Sequence, residues 1–570
     1  MTVNRLRRRD IDVAPSGWAV QVHPVLQRVY AARGVPTPDG AEHRLARLLA
    51  PNLLGGIDTA VALLHQAIRD HASIVIAGDY DCDGATGAAV AVRGLRLLGA
   101  TRVSYVVPNR VSHGYGLSPA LVDSLSPTPD FIVTVDNGVA SVAGVATAHA
   151  RGIKVIVTDH HLPGEALPAA DAMVNPNLVD DGFPSKALAG VGVMFYLLLA
   201  LRAHMRAHGG FANGEPDLSC LLDLVALGTV ADLVPLDFNN RVLVDAGLKR
   251  IRSGRATPGI AALIEASNRA VGTVTATDMA FAVGPRLNAA GRLEDMALGV
   301  ACLLTDEPAQ ARRYAEQLSA INQARRELQA GMVAEAEAMV ARTADIDAVG
   351  VALFDPGWHA GVVGLVASKL KERLHRPVFA FAPAGDDSDE LRGSGRSIAG
   401  FHIRDALAAI DARHPGMILK FGGHAMAAGL SLRAVDFPRL AAAFDAYARE
   451  QLDEAQLLAW LYTDGELAPA DFTMALAIQL RDGGPWGQAF AQPLFENVFD
   501  CASWKPMGER HLRLQLRDPR SGNMLEAVMF NAYTGTPPPA RLRAAYELTI
   551  NDWQGRESLR LLLQHMEPAD

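Results

Sequence analysis

Residues 74–87 read IVIAGDYDCDGATG, a short β-branched run that breaks at Gly78 and ends in three aspartates, Asp79, Asp81 and Asp83. The pattern returns twice. Phe131–Val135 leads into Asp136-Asn137-Gly138, and 153–158 leads into Asp159-His160-His161. Between these apolar runs lie segments of helical character, 85–98 and 141–151. Strand and helix in alternation predict βαβ units and a parallel sheet. Such strands are covered on both faces, which accounts for their unbroken apolar character. Ligands of such sheets bind beyond the carboxyl ends of the strands. The acidic residues of all three stretches would gather there.

If the chain stays extended through Asp83, its three carboxylates point to one side. Like charges that close are tolerable when divalent cations neutralise them. An Asx-rich turn is the plain alternative. An EF-hand loop is excluded, because its twelfth position needs Glu and here holds Val90, and because a strand precedes it. Carboxylates mixed with imidazole suit Mn2+ or Mg2+. Their number suggests two ions, the arrangement typical of phosphoryl hydrolysis. No GK[ST] P-loop, HExxH or GxSxG is present. Asp232, in LGTVADLVPL, follows an apolar run; by itself such an Asp reads as a cap or turn residue.

Outward from these motifs, 570 residues suggest roughly three to five domains. Hydrophobic residues at 49% and charged residues at 20% exclude a disordered chain, and Gly and Pro without a fixed period exclude a fibrous one. A net charge of −9 argues against a simple basic nucleic-acid binder. Cys82, Cys220, Cys302 and Cys501 form no CxxC pair, which fits a reducing cytosol. The early arginines precede no apolar signal segment. The apolar stretch 187–201 falls short of the about 18 residues a bilayer span needs and reads as a buried helix. These features predict a cytoplasmic protein with no membrane partner.

The chain reads as five regions. Residues 1–70 read as a helical extension, 71–245 as the parallel-sheet catalytic domain, and 246–345 as a helical connection containing a long helix from 310 to 342. A second α/β block spans 346–450. An all-β segment spans 455–570, where Leu512, Leu514 and Leu516 alternate with Arg513, Gln515 and Arg517. In the second block GSGRS (393–397) and GGH (422–424) read as tight turns or as phosphate cradles.

Asp159-His160-His161 after such strands resembles the DHH phosphoesterase superfamily. The chain is most similar to its branch of bacterial single-strand-specific 5′→3′ DNA exonucleases. The resemblance rests on GDYDCDGATG (78–87), VDNG (135–138), VTDHH (157–161), LAGVGVMFYLLLAL (188–201), LGTVADLVPL (227–236), GPRLNAAGRL (284–293), GWHAGVVGLVASKL (357–370), GSGRSI (393–398) and KFGGHAMAAGL (420–430), in family order over nearly the full length. It implies that Asp81, Asp83, Asp136, His160 and Asp232 ligate two Mn2+ or Mg2+ ions, with Asp79 a ligand or a partner of one. Asp159 would orient a histidine, and His161 would act on the phosphate or the leaving group. The second block resembles a DHHA1 substrate domain, which makes Ser394, Arg396, Gly422, Gly423 and His424 substrate-binding candidates. Arg286 and Arg292 would face phosphate, and Arg110, His113 and Tyr115 would border the same cleft.

The last segment resembles an OB-fold, a fold that binds single strands through a basic groove and stacked aromatics. Trp504, Phe530, Tyr533 and Trp553 would be platforms or core, and Lys505, Arg513 and Arg517 phosphate contacts. The loop 484–493, GPWGQAFAQP, departs from the family's usual run there. The implied activity is metal-dependent release of 5′-mononucleotides from single-stranded DNA in repair, mismatch repair and recombination. Implied partners are single-strand-binding protein and a RecQ-type helicase. The alternative is a DHH enzyme acting on short oligonucleotides, cyclic dinucleotides or pyrophosphate; such relatives are typically shorter and lack the β segment. Intact acidic motifs argue against an inactive DNA binder. Charge allows the DNA reading: residues 241–330 carry 12 Lys+Arg against 9 Asp+Glu, and 501–520 carry 5 against 2.

Overall fold

The structure, a computed structural model, describes residues 5–108, 114, 116–211, 214–342, 348–385, 388–553 and 555–569. The chain divides into two compact units. One comprises 9–322 and 463–570; the other comprises 323–462 with the chain start up to residue 8.

The chain opens with strand β1 (Arg5–Arg8), which pairs with Trp460–Thr463. The sequence reading expects helix there. Three arginines and one leucine offer no apolar stripe, so backbone pairing fixes this segment instead. In the larger unit, β2 (Ile74–Ala77), β3 (Val103–Val106), β4 (Phe131–Val135), β5 (Lys154–Thr158) and β6 (Ala172–Val174) form a parallel sheet in the order β3-β2-β4-β5-β6. The first crossover leaves β2 on one side and the next returns on the other. The topological switch therefore lies between β2 and β4, where such sheets place their ligands. β4 is buried at every position, as a strand covered on both faces must be.

One expectation fails locally. The chain does not stay extended through Asp83. Asp81 caps a helix, Cys82–Leu97, accepting from the Gly84 N–H at 3.0 Å. Thirteen of that helix's 16 residues are buried. Its small side chains let it pack against both Gly190–Ala207 and Leu222–Ala231. Gly190–Ala207 is the predicted apolar helix, and it is buried over most of its length. No single helix among the described residues is long and apolar enough to cross a membrane.

The helix Pro308–Arg342 runs from the larger unit into the smaller, with Leu318 and Met332 buried along it. The smaller unit is built on β7 (Val351–Phe354), β8 (Val378–Pro383), β9 (Glu390–Arg396), β10 (Ile418–Gly423) and β11 (Ala427–Arg433), ordered β10-β11-β9-β8-β7. Only β7 and β8 run parallel. After β12 (Trp460–Thr463), the strands β13 (Phe495–Met507), β14 (His511–Arg517), β15 (Met524–Met529), β16 (Arg541–Trp553) and β17 (Arg556–Pro568) close a barrel. Leu512, Leu514 and Leu516 point inward, as their alternation predicts. The 484–493 loop packs into the core of the larger unit, with Trp486 stacked on Phe490 at 5.1 Å and on Tyr30 at 5.8 Å.

Candidate metal centre

The switch point gathers the acidic residues. Asp79, Asp81 and Asp136 form one cluster of possible ligand atoms, Asp83, His160 and Asp232 a second, and Asp136, His160 and His161 a third; within each, all atoms lie within 4.8 Å of one another. His160 Nε2 stands 3.0 Å from Asp136 Oδ1 and 3.5 Å from Asp232 Oδ2. Asp232, the C-cap of the helix Leu222–Ala231, is brought into the centre despite its distance in sequence.

Backbone features hold these side chains. Asp136 sits at φ 64°, a left-handed conformation uncommon for a non-glycine residue. Gly190 lies directly against it: a Cβ there would stand 2.5 Å from the Asp136 Cβ. The same helix start fixes Asp83, whose carboxylate accepts from the N–H groups of Gly190 at 2.6 Å and Val191 at 2.9 Å. Asp159 is fully engaged elsewhere. It accepts from Val139 N–H at 2.8 Å, His160 N–H at 2.7 Å and His161 Nδ1 at 2.8 Å.

Burial pushes the Asp83 carboxyl well above its ordinary range, and the charges of Asp232 and Asp81 add to this; the N–H groups of Val191 and Gly190 oppose it. Asp136 is raised by burial and then by Asp83, Asp81, Asp232 and Asp79. Asp232 is pushed up to about 7 by burial and by Asp81. Burial brings His160 down to about 4, with His161 acting the same way. His161 goes the other way, to about 9: burial lowers it, but the hydrogen bond and charge of Asp159 outweigh that. For Asp159, burial acts upward and is outweighed by His161 and the backbone N–H groups, leaving it below its ordinary value.

Crowded carboxylates that resist ionising together are stabilised by a divalent cation. His160 Nε2 is buried and makes no hydrogen bond, although Asp136 is close. An oxygen-rich set with one unpartnered imidazole nitrogen fits Mn2+ or Mg2+.

Three family models match the chain: the DHH family N-terminal domain over 73–229, the DHHA1 domain over 346–450 and the RecJ OB domain over 463–565. The chain is 51% identical to the single-stranded-DNA-specific exonuclease RecJ of Dickeya dadantii and 48% identical to that of Escherichia coli, covering 99% of both chains in each case. The chain belongs to the RecJ family of single-stranded-DNA-specific exonucleases. The fold agrees. Crystal structures of Thermus thermophilus RecJ with Mn2+ and with Mg2+ superpose with TM-scores of 0.80 and 0.75 at 31% and 30% identity; each comparison covers 97% of this chain, and 77% and 76% of the respective Thermus chain.

Other residues singled out in this RecJ-family sequence fare unevenly. Arg110, His113 and Tyr115 lie outside the described residues. Arg286 is turned into the protein, donating to Ser319 Oγ at 3.0 Å and Ala266 O at 3.0 Å, and also to Ala282 O. It braces its helix, Gly284–Leu293, against that of Ser319, so the expected phosphate-facing posture is not the one adopted. Arg292 lies half-buried near the end of the same helix.

GSGRS is also not the expected backbone cradle. β9 is paired on both sides, so its N–H groups serve the sheet. Gly393 and Gly395 are small because the rings of Phe381 and Phe379 stand 2.3 Å from where each Cβ would be. Ser394 and Arg396 point to the other face, beside Gly364 near the start of the helix Val363–Leu374. Gly422 lies in the open and exposed on edge strand β10. Gly423 takes φ 139° to close the hairpin in which the His424 N–H meets Ala427 O at 2.8 Å.

In the barrel Phe530 is exposed, and Trp504 lies 6.1 Å from Tyr533. Arg513 and Arg517 are paired with Glu526 and Asp500. Sequence reasoning missed the supports. Asn288, in GPRLNAAGRL, accepts from the Cys82 N–H at 2.7 Å and holds the turn after β2. Asn175 and Asn177 donate to the carbonyls of His161 and His160. The Asn-Pro-Asn run at 175–177, immediately after β6, was the available signal.

Proposed function

We propose that this chain degrades single-stranded DNA in the 5′→3′ direction, releasing 5′-mononucleotides, in DNA repair, mismatch repair and recombination. The observation that carries the reading is the overlap of three donor clusters on Asp136 and His160. Shared ligands of this kind suit two adjacent ions. Asp79, Asp81, Asp83, Asp136, His160 and Asp232 would hold two Mn2+ or Mg2+ ions. Bound in pairs, such ions supply a hydroxide at neutral pH and neutralise charge on the phosphate being cleaved.

The chain's own residues do the positioning. Asp83 is anchored by two backbone N–H groups, and Asp136 by its backbone and Gly190. His161, holding a proton on Nδ1 toward Asp159, presents Nε2 to the scissile phosphate or the leaving oxygen. Arg110, His113, Tyr115, Arg292, Ser394, Arg396, Gly422, Gly423 and His424 are the proposed substrate contacts, while Arg286 supports the helix that carries Arg292. The barrel would guide the incoming strand through stacking. Single-strand-binding protein and a RecQ-type helicase would supply that strand in the cytoplasm.

The test compares a long 5′-labelled single strand, a dinucleotide and pyrophosphate as substrates, with Mn2+, for the wild type and Asp136→Ala. Mononucleotide release from the long strand, lost in Asp136→Ala, is expected. Full activity in the variant, or a preference for pyrophosphate or the dinucleotide, overturns the reading.

A further inference from the structure

A second group of metal-ligating side chains lies away from the acidic centre. His204 and the C-cap His208 sit one turn apart at the end of the helix Gly190–Ala207, their rings stacked at 4.0 Å and 20°. His65, on the neighbouring helix Ile57–Arg69, completes the group at 5.1 Å from His204 and 6.3 Å from His208. His65 and His204 are half-buried and His208 is exposed. The opposite end of this helix, at Gly190, touches Asp83 and Asp136. At 1.5 Å rise per residue His204 lies about 21 Å and His208 about 27 Å from that end.

Two histidines at i and i+4 on one helix face form a natural chelate for a transition ion. A third imidazole from another helix raises the denticity. Burial, Arg69 and His208 lower the His65 pKa, and burial, His208 and His65 lower that of His204 against the opposing charge of Asp58. Both rings are thus neutral and able to ligate near neutral pH. His208 Nδ1 contacts the His204 carbonyl oxygen at 2.8 Å, which leaves Nε2 to face outward. As they stand the rings pack against one another with centroids 4.0, 5.1 and 6.3 Å apart and their nitrogens do not converge, so binding an ion requires the rings to turn out of this arrangement.

We infer that His65, His204 and His208 form a separate binding site for a borderline first-row ion of the Zn2+, Ni2+ or Cu2+ type, which fastens the two helices together. An all-imidazole set favours these ions, whereas the carboxylate centre favours Mn2+ or Mg2+.

Zn2+ is the probe. It is titrated calorimetrically into the full chain in excess Mg2+, for the wild type, His65→Ala, His204→Ala and Asp136→Ala. One equivalent of Zn2+ is expected in the wild type and in Asp136→Ala. It should be absent from both histidine variants, whose Mg2+-dependent nuclease rate and metal-free melting should match the wild type. Zn2+ should raise the melting temperature of the wild type and of Asp136→Ala, and of neither histidine variant. Equal Zn2+ binding in the histidine variants, or its loss in Asp136→Ala, overturns the inference.

Discussion

Gly190→Ala tests whether the close approach of a helix start to Asp136 sets the catalytic geometry. The new Cβ would stand 2.5 Å from the Asp136 Cβ and 2.7 Å from its Cα. Ordinary contact begins near 3.4 Å, so the two segments must part by about 0.9 Å. Asp136 cannot swing away freely, because its left-handed backbone already holds it in a narrow well. The helix cannot retreat alone either, because its Gly190 and Val191 N–H groups bind Asp83. Either movement displaces one carboxylate of the centre. Overpacking of this kind costs about 1–3 kcal/mol of stability. A misplacement of about 1 Å costs roughly a hundredfold in rate. Gly192→Ala is the control on the same helix: its Cβ meets only the flexible tip of Leu188, at 3.1 Å. The assay is the initial rate of mononucleotide release from a 5′-labelled single strand in saturating Mn2+, with urea melts of both variants. If Gly190→Ala keeps the wild-type rate, or Gly192→Ala loses as much, the packing argument is refuted.

Removing the acceptor in Asn288→Ala leaves the Cys82 N–H without its 2.7 Å partner; a loss of about 1–3 kcal/mol in urea melts and a slower nuclease are expected. Arg33 and Asp464 are joined by bonds of 2.7 and 3.0 Å with both side chains nearly inaccessible, so Asp464→Asn should cost about 3–5 kcal/mol, read from the urea midpoint. His43 is lowered from 6.5 to about 4 by burial first and then by Arg241, Lys249 and Arg47. Below 6.5 the unfolded chain takes up a proton that the folded chain refuses, so stability should fall as pH drops through this window; His43→Gln should flatten that fall, measured as the urea midpoint against pH.

The parallel sheet and the position of its site were legible because both arise from local pattern. Apolar runs ending in Asp79, Asp136 and Asp159 predict strands, and a doubly wound sheet brings the carboxyl-terminal end of each strand to the same edge. Burial of 187–201 was legible for a similar reason: fifteen uncharged residues have to go somewhere dry. The features that stayed hidden are decided by partners distant in sequence. Alternation alone placed Asp79, Asp81 and Asp83 on one face. The structure instead starts a helix at Cys82 and hands Asp83 to the helix beginning at Gly190. Gly393 and Gly395 resembled a backbone cradle until Phe379 and Phe381 occupied the space beside them. Arg286 looked free for phosphate because Ser319 and Ala266 lie far from it along the chain.

These hidden contacts explain how an acidic cluster of this density folds. Asp83 and Asp136 are pushed toward the protonated form by burial and by each other's neighbours. A cluster held only by flexible side chains would relieve that repulsion by turning outward to water. Here each escape is blocked by backbone. Two N–H groups grip Asp83, a left-handed residue backed by Gly190 fixes Asp136, and Asp159 is held by Val139, His160 and His161. The strain is therefore carried by the scaffold, and the donor atoms stay convergent, which is the preorganisation that fast hydrolysis requires. The net charge of −9 then needs no basic surface to compensate it everywhere, because part of it belongs to a site built to meet cations.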